Sequence, residues 1–170
     1  LLVQLPFSLS LYGSEETTSL YVNNNGNLAL GPVMTFTPFE LSSAGQIMFA
    51  VFFADVDTTE VDSGATGTVY YGTGDIRGHP AFCATWRDVC YYRALTCSTT
   101  DIRNTFQACV ISRNDTGPNN FDIEYNYEQI SWETGVASGG SSDGLGGSCA
   151  RVGYTNGLDV NYEARGSAEC

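Results

Sequence analysis

Lysine is absent from these 170 residues: the seven cationic side chains are all arginine, against 19 Asp and Glu, for a formal net charge of −12. So acidic a surface repels phosphate backbones and anionic membranes, which argues against nucleic acid as a partner. Charged residues of both signs together make up only 15% of the chain, and the recurring Leu, Ala, Glu and Lys of a helical bundle are missing. There is a single histidine, His79, and none of the six cysteines falls in a CxxC pair, so zinc-finger spacing is excluded. No apolar run approaches the length of a membrane span. The chain opens on Leu1 with neither a charged n-region nor a methionine, the expectation for a mature or excised segment whose signal peptide is gone.

What the sequence does have is 12% aromatic residues and 19 glycines, with abundant Ser, Thr and Asn, a mixture suited to β-strands joined by many turns. The length suits one domain with a real core. An even number of cysteines without metal-ligand spacing points to disulfides and hence to an oxidising, extracellular compartment. Asn114-Asp115-Thr116 is an N-glycosylation sequon in a turn-like stretch, where the acceptor Asn114 is expected to be exposed.

Leu5, Phe7, Leu9 and Leu11 alternate with polar or turn residues, the period of a half-buried strand. Leu20 to Val22 and Leu28 to Leu30 flank an Asn-rich stretch containing Asn25-Gly26, a hairpin signal. Ile47 to Ala54 is continuously apolar, as in a strand buried on both faces, and stops at Asp55-Val56-Asp57. Gly67 to Tyr71 reads as a strand and the glycine-rich Gly72 to Pro80 as the turn leaving it. Phe82, Ala84 and Trp86, and then Phe106, Ala108 and Val110, define the apolar faces of two strands that should pair. Phe121 to Tyr127 is one-sided, and Gly135 to Gly147 reads as a mobile Gly/Ser loop. With hardly any helical pattern, the expected fold is all-β and mainly antiparallel: a disulfide-stapled β-sandwich or related barrel with long loops and little helix.

If Trp86 faces Phe106 in an antiparallel pair, the same register puts Cys83 opposite Cys109 on the other face. The expected bridges are then Cys83–Cys109, a nested Cys90–Cys97, and Cys149–Cys170 stapling the C-terminus. This is one choice among the 15 connectivities that six cysteines allow.

Ser19-Leu20-Tyr21-Val22-Asn23, Phe52-Phe53-Ala54-Asp55-Val56-Asp57-Thr58, Gly67-Thr68-Val69-Tyr70-Tyr71, Phe82-Cys83-Ala84-Thr85-Trp86 and Asn104-Thr105-Phe106-Gln107 are followed by Phe121 to Tyr127, Ile130-Ser131-Trp132-Glu133, Gly139-Gly140 and Ala150-Arg151-Val152-Gly153-Tyr154. This ordered set resembles the nidogen-type extracellular (NIDO) domain family shared by nidogen, α-tectorin and mucin-4, and it covers nearly the whole chain. The resemblance implies a module of extracellular matrices, adhesive coats and mucins without catalytic activity. Cys83, Cys90, Cys97 and Cys109 are additions to the family pattern, so the bridges are not inherited from it. The expected layout is an N-terminal strand over residues 1–12, a candidate donor to a neighbouring subunit, and a single NIDO-like domain over 13–170.

Asp55, Asp57, Glu60 and Asp62 gather hard oxygen ligands in one short loop, which makes them the candidate calcium site and calcium the one cofactor considered. The spacing is not that of an EF-hand, and the competing reading has Asp55 and Asp57 capping backbone amides. Gly140-Ser141-Ser142-Asp143-Gly144 satisfies G-x-S-x-G by letters, but it lies in a loop and His79 precedes it, against the order a hydrolase elbow needs. Gly72-Thr73-Gly74 lacks the helix and lysine of a phosphate cradle. Glu124, Glu128 and Glu133 suit the outer face of a strand better than a glycosidase pair, and Trp86 and Trp132 suit a core better than a sugar platform.

The chain is therefore expected to be a secreted, non-catalytic structural subunit of a matrix, coat or filament. Its expected partners are other copies of itself or other extracellular proteins. Leu1, Leu2, Val3 and Leu5 form an apolar, β-prone stretch at a free terminus, the candidate for strand addition to a neighbour. The alternative is a calcium-assisted adhesion module with a glycan or other ligand at the Asp55 to Asp62 loop.

Overall fold

The computed structural model describes residues 1–11, 13, 15–59, 68–93, 97 and 101–170. The strands among them are β1 (Leu2–Leu9), β2 (Thr17–Asn23), β3 (Asn27–Ala29), β4 (Met48–Phe53), β5 (Val56–Asp57), β6 (Thr68–Ile76), β7 (His79–Tyr91), β8 (Asn104–Ser112), β9 (Phe121–Gln129), β10 (Arg151–Thr155) and β11 (Asn161–Glu163). One sheet runs β1-β2-β3-β4-β10-β11 and the other β5-β7-β8-β9, with β6 paired to β7 on the side away from β8. Every pairing is antiparallel. The fold is the all-β, disulfide-bonded sandwich that the alternation of apolar residues implies.

The core lies between the sheets. β1 buries Val3, Leu5, Phe7 and Leu9 and turns the residues between them outward; with Leu20, Val22, Leu28, Phe49 and Val51 they meet Phe82, Ala84, Trp86, Phe106, Ala108 and Val110 of the opposing sheet. The Trp86 and Phe106 rings stack at 5.2 Å, and the Trp86 Nε1–H donates to the Asn23 and Asn24 carbonyls at 3.1 and 3.0 Å. One side chain thus ties the β7–β8 pair to the β2–β3 turn. All six residues of β4 are buried, because the 30–46 connection covers its outer face with Val33, Phe39 and Leu41.

The β2–β3 hairpin closes on Asn23 opposite Asn27, and Gly26 alone in that loop takes a positive φ, at 74°. The Gly26 carbonyl accepts from both Val51 and Phe52, so two residues of β4 oppose one of the loop in a bulge-like arrangement. A Cβ at Gly26 would collide with the Phe52 carbonyl. Glycine is required twice over here, by φ and by close approach.

Two expectations are corrected. Gly72 to Pro80 is not a turn: β6 continues through Ile76, and the reversal is made by Arg77 and Gly78 alone, with φ of 55° and 84°. Glycine interrupts a strand when its missing side chain costs packing, but Gly72 and Gly74 lie on an exposed strand with none of the described residues near a would-be Cβ. Gly135 to Gly147, expected as a mobile loop, is stitched by backbone bonds. Gly140 donates to Gly135, Ser141 to Leu145 and Ser148 to Ser138, while Glu133 and Thr134 both donate to Gly144. Glycine-rich composition measures backbone freedom in the unfolded chain; it does not count the partners that the fold supplies.

Candidate functional site

Asp55 leaves β4 and enters β5 with 3% of its surface exposed, and Asp57 with 6%. The Asp57 Oδ1 accepts the Thr59 amide at 2.8 Å and its hydroxyl at 2.6 Å. The backbone amides of Ser138 and Ala137 reach the Asp55 carboxylate, whose Oδ2 has no hydrogen-bond partner among the described residues and is pressed against Gly135. Burial, with the neighbouring Asp57 charge adding to it, raises the Asp55 pKa from the usual carboxylate range to about 6. Both aspartates therefore take the capping arrangement. Glu60 and Asp62 lie outside the described residues. The described residues do bring Cys90, Cys97 and Asp101 together at metal-ligand spacing, but those two cysteines are bonded to each other.

The β7–β8 register places Trp86 opposite Phe106 and Cys83 opposite Cys109. The structure joins Cys83 to Cys109 across a Cα separation of 4.1 Å, Cys90 to Cys97 and Cys149 to Cys170. The first bridge lies on the outer face of the sheet, in a small cluster with Ala81, Ile111 and Ile76.

Ser142 and His79 sit at opposite ends of β7, Ser142 accepting the Tyr91 hydroxyl through its carbonyl and His79 closing the turn from β6. No Ser–His pair forms among the described residues. Glu124 pairs with Arg77 at 2.7 Å. Trp132, like Trp86, is core: it is 1% exposed and its Nε1–H donates to the Val89 carbonyl at 3.0 Å. Asn114 is exposed on the turn after β8, where its Oδ1 accepts the Asn119 amide.

Sequence reasoning missed three features. Asn104, fully buried, holds the 131–132 backbone by accepting the Ser131 amide at 2.6 Å and donating to the Trp132 carbonyl at 2.8 Å. Arg113 binds Asp115 at 2.9 Å and Asp122 at 2.7 Å beside an open cleft of about 580 Å³ that Phe49, Phe121 and Tyr154 also line. Tyr125 and Tyr127 donate their hydroxyls across the sandwich to the Gly153 and Val51 carbonyls, and burial lifts both phenols above their usual range, Tyr127 to about 12. The tyrosines were legible only as one face of a strand.

The nidogen-like domain profile matches residues 72–169. The chain belongs to that family. Over 185 aligned positions it is 34% identical to the alpha-tectorins of mouse and human, an alignment that takes in 94% of this chain and 8% of each relative. Chicken alpha-tectorin is 35% identical over 169 positions, 85% of this chain and 7% of the relative. The chain thus spans less than a tenth of the curated relatives it matches. No solved structure matches it. As a nidogen-like domain it is an extracellular, secreted module, and β6 to β11, the second half of the sandwich, fall almost wholly within the family match.

Proposed function

We propose that this nidogen-like domain is a non-catalytic structural module of an extracellular matrix, coat or filament, acting through contacts with other copies of itself or with other extracellular proteins. One observation carries the reading: five of the described residues that chemistry could use are committed to structure. Asp55 and Asp57 cap backbone amides, Glu124 pairs with Arg77, and Trp86 and Trp132 fill the core.

Strand addition through Leu1, Leu2, Val3 and Leu5 takes a particular form here. Leu2, Val3 and Gln4 already pair with Tyr21, Leu20 and Ser19, and the Leu1 amino group donates to the Val22 carbonyl at 2.9 Å. Val3 and Leu5 are 7% and 8% exposed, while Leu1 and Leu2 are 68% and 49% exposed. Donation is therefore an exchange, in which β1 leaves its own sheet and fills the same place in a neighbour. The test of the structural role is deposition. The tagged chain, secreted by cultured cells, should collect in the detergent-insoluble matrix; recovery wholly from the medium, or turnover of ester, peptide or glycoside substrates, overturns it.

A second reading, calcium-assisted binding of a glycan or other ligand at the Asp55 to Asp62 loop, is favoured by the buried, unpartnered Asp55 Oδ2 beside the Asp57 charge. Calorimetric titration with calcium should release heat that Asp57→Asn abolishes. No heat at any calcium concentration removes this reading.

A further inference from the structure

Among the described residues five strands stand at the sides of the two sheets; β5, beside β6 on β7, is only two residues long, and three of the other four carry a device against further pairing. β1 contains Pro6 and a register irregularity between Gln4 and Leu9. β9 lines its edge with Asp122, Glu124 and Glu128. β11 is three residues long. β6 differs from all of them. It is nine residues long, pairs among the described residues with β7 alone, contains no proline, and carries no charge before Asp75. Seven of its nine residues are exposed, Tyr70 and Tyr71 at 48% and 52%.

The backbone direction along that edge follows from the turn. The two-residue Arg77–Gly78 reversal closes on a hydrogen-bonded Ile76–His79 pair. Alternate residues Gly74, Gly72 and Tyr70 therefore turn their amides and carbonyls toward β7, and Asp75, Thr73, Tyr71 and Val69 turn theirs outward. An antiparallel partner must pair outward residue with outward residue. The β6 sequence satisfies this with itself in a register centred on Gly72. There Tyr71 faces Thr73 of the second copy, Val69 faces Asp75, Tyr70 faces Gly74, and Gly72 faces Gly72. The bulky first half of the strand meets the small second half, the tyrosine covers a glycine, and no acid faces an acid. Nothing among the described residues stands within 4 Å of a would-be Cβ at Gly72 or Gly74, so the larger side chains of a second strand have room over these two positions.

We propose that the domain associates with a second copy of itself through antiparallel pairing of β6 with β6 about a two-fold axis at Gly72. The pairing names the partner for the structural role proposed above and rests on it, yet a chain that stays monomeric and still deposits in matrix would remove the dimer and leave that role standing. A contact made along one strand edge is small, so the dimer is weak, with a dissociation constant on the order of 10–100 μM.

Two experiments on the whole chain test it. Sedimentation velocity over about 5 to 500 μM, a range that brackets that constant, should show a monomer–dimer equilibrium. Thr73→Pro deletes an outward amide while leaving the bonds to β7 intact, and should make the chain monomeric without moving its melting temperature. A monomer throughout the range, or a dimer unchanged in folded Thr73→Pro, overturns the proposal. The second experiment reads the register. Under mild oxidation Gly72→Cys should form a disulfide-linked dimer at least tenfold faster than Gly74→Cys, because Gly72 meets its own copy and Gly74 meets Tyr70. Equal rates, or a faster Gly74→Cys, overturn the register and with it the self-pairing; so does a monomer that binds only strands of other proteins.

Discussion

At Asp55 the fold raises a carboxyl pKa to about 6, so the usual direction of acid stability is reversed for this group. The unfolded chain holds it near the ordinary aspartate value, so between roughly pH 4 and 6 the folded state binds the extra proton. This contribution to stability is present in full below the unfolded pKa and is lost as pH rises through the folded one. Asp55→Asn keeps an acceptor for the Ala137 and Ser138 amides and removes the charge. At pH 8 the variant should be more stable than the parent by roughly 1–3 kcal/mol, a gap that closes below about pH 4. Thermal melts across that range check this, and a variant less stable than the parent at pH 8, by a margin that shrinks as the pH falls, would show that the charge is favourable. Asn104→Leu should cost about 2–4 kcal/mol in chemical denaturation, because it strips partners from the part-buried Ser131 amide and the buried Trp132 carbonyl at once. At this scale the sequence offered both uses of Asp55 and Asp57, ligand and cap, since an aspartate after a buried strand is compatible with either. The amides of residues 137 and 138, more than eighty positions away, are what the pattern did not contain.

Among the elements, β1 and β6 carry opposite lessons. The alternation of Val3, Leu5, Phe7 and Leu9 marks β1 as half-buried, and burial is what makes the strand indispensable. Deleting Leu1 to Leu5 removes two core side chains and the pairing to β2, so it should lower stability by several kcal/mol, at about 1.5–3 kcal/mol for each buried aliphatic side chain, and broaden or abolish cooperative melting. A truncated chain that melts with the parent's sharpness and midpoint would contradict that. In β6 the same kind of reading stopped short at Gly72, because glycine and threonine carry no amphipathic signal on a strand with both faces largely exposed. The β7–β8 pair lies between these cases. The alternation of Trp86 with Ala84 and Phe82, and of Phe106 with Ala108 and Val110, leaves registers two residues apart equally in phase; the structure takes the one with Trp86 opposite Phe106, and Cys83 opposite Cys109 is its consequence on the other face.

For the whole molecule the net charge of −12 acts against any association between copies. Like-charged protomers repel at long range and salt screens the repulsion, so the β6 dimer should tighten as sodium chloride rises from about 50 to 300 mM. Sedimentation equilibrium at the two salt concentrations measures it; weakening with salt would point to an ion-paired interface instead. The same acidity leaves few cations to share, and the arginines are used locally: Arg113 gathers Asp115 and Asp122 around the Asn114 turn, and Arg151 binds Glu163 across β10 and β11 at 2.8 Å.

The chain by itself determined the all-β class, the extracellular disulfide-bonded character, the hairpin at Gly26 and the pairing of β7 with β8. Each of these follows from spacing along the chain or from one pairing that spacing permits. The tertiary structure alone decided which amides reach Asp55, what stitches residues 135–147, and which strand edge is left open among the described residues. Those outcomes depend on surfaces brought together from distant positions, and a linear pattern records the periodicity of a strand without recording its neighbours.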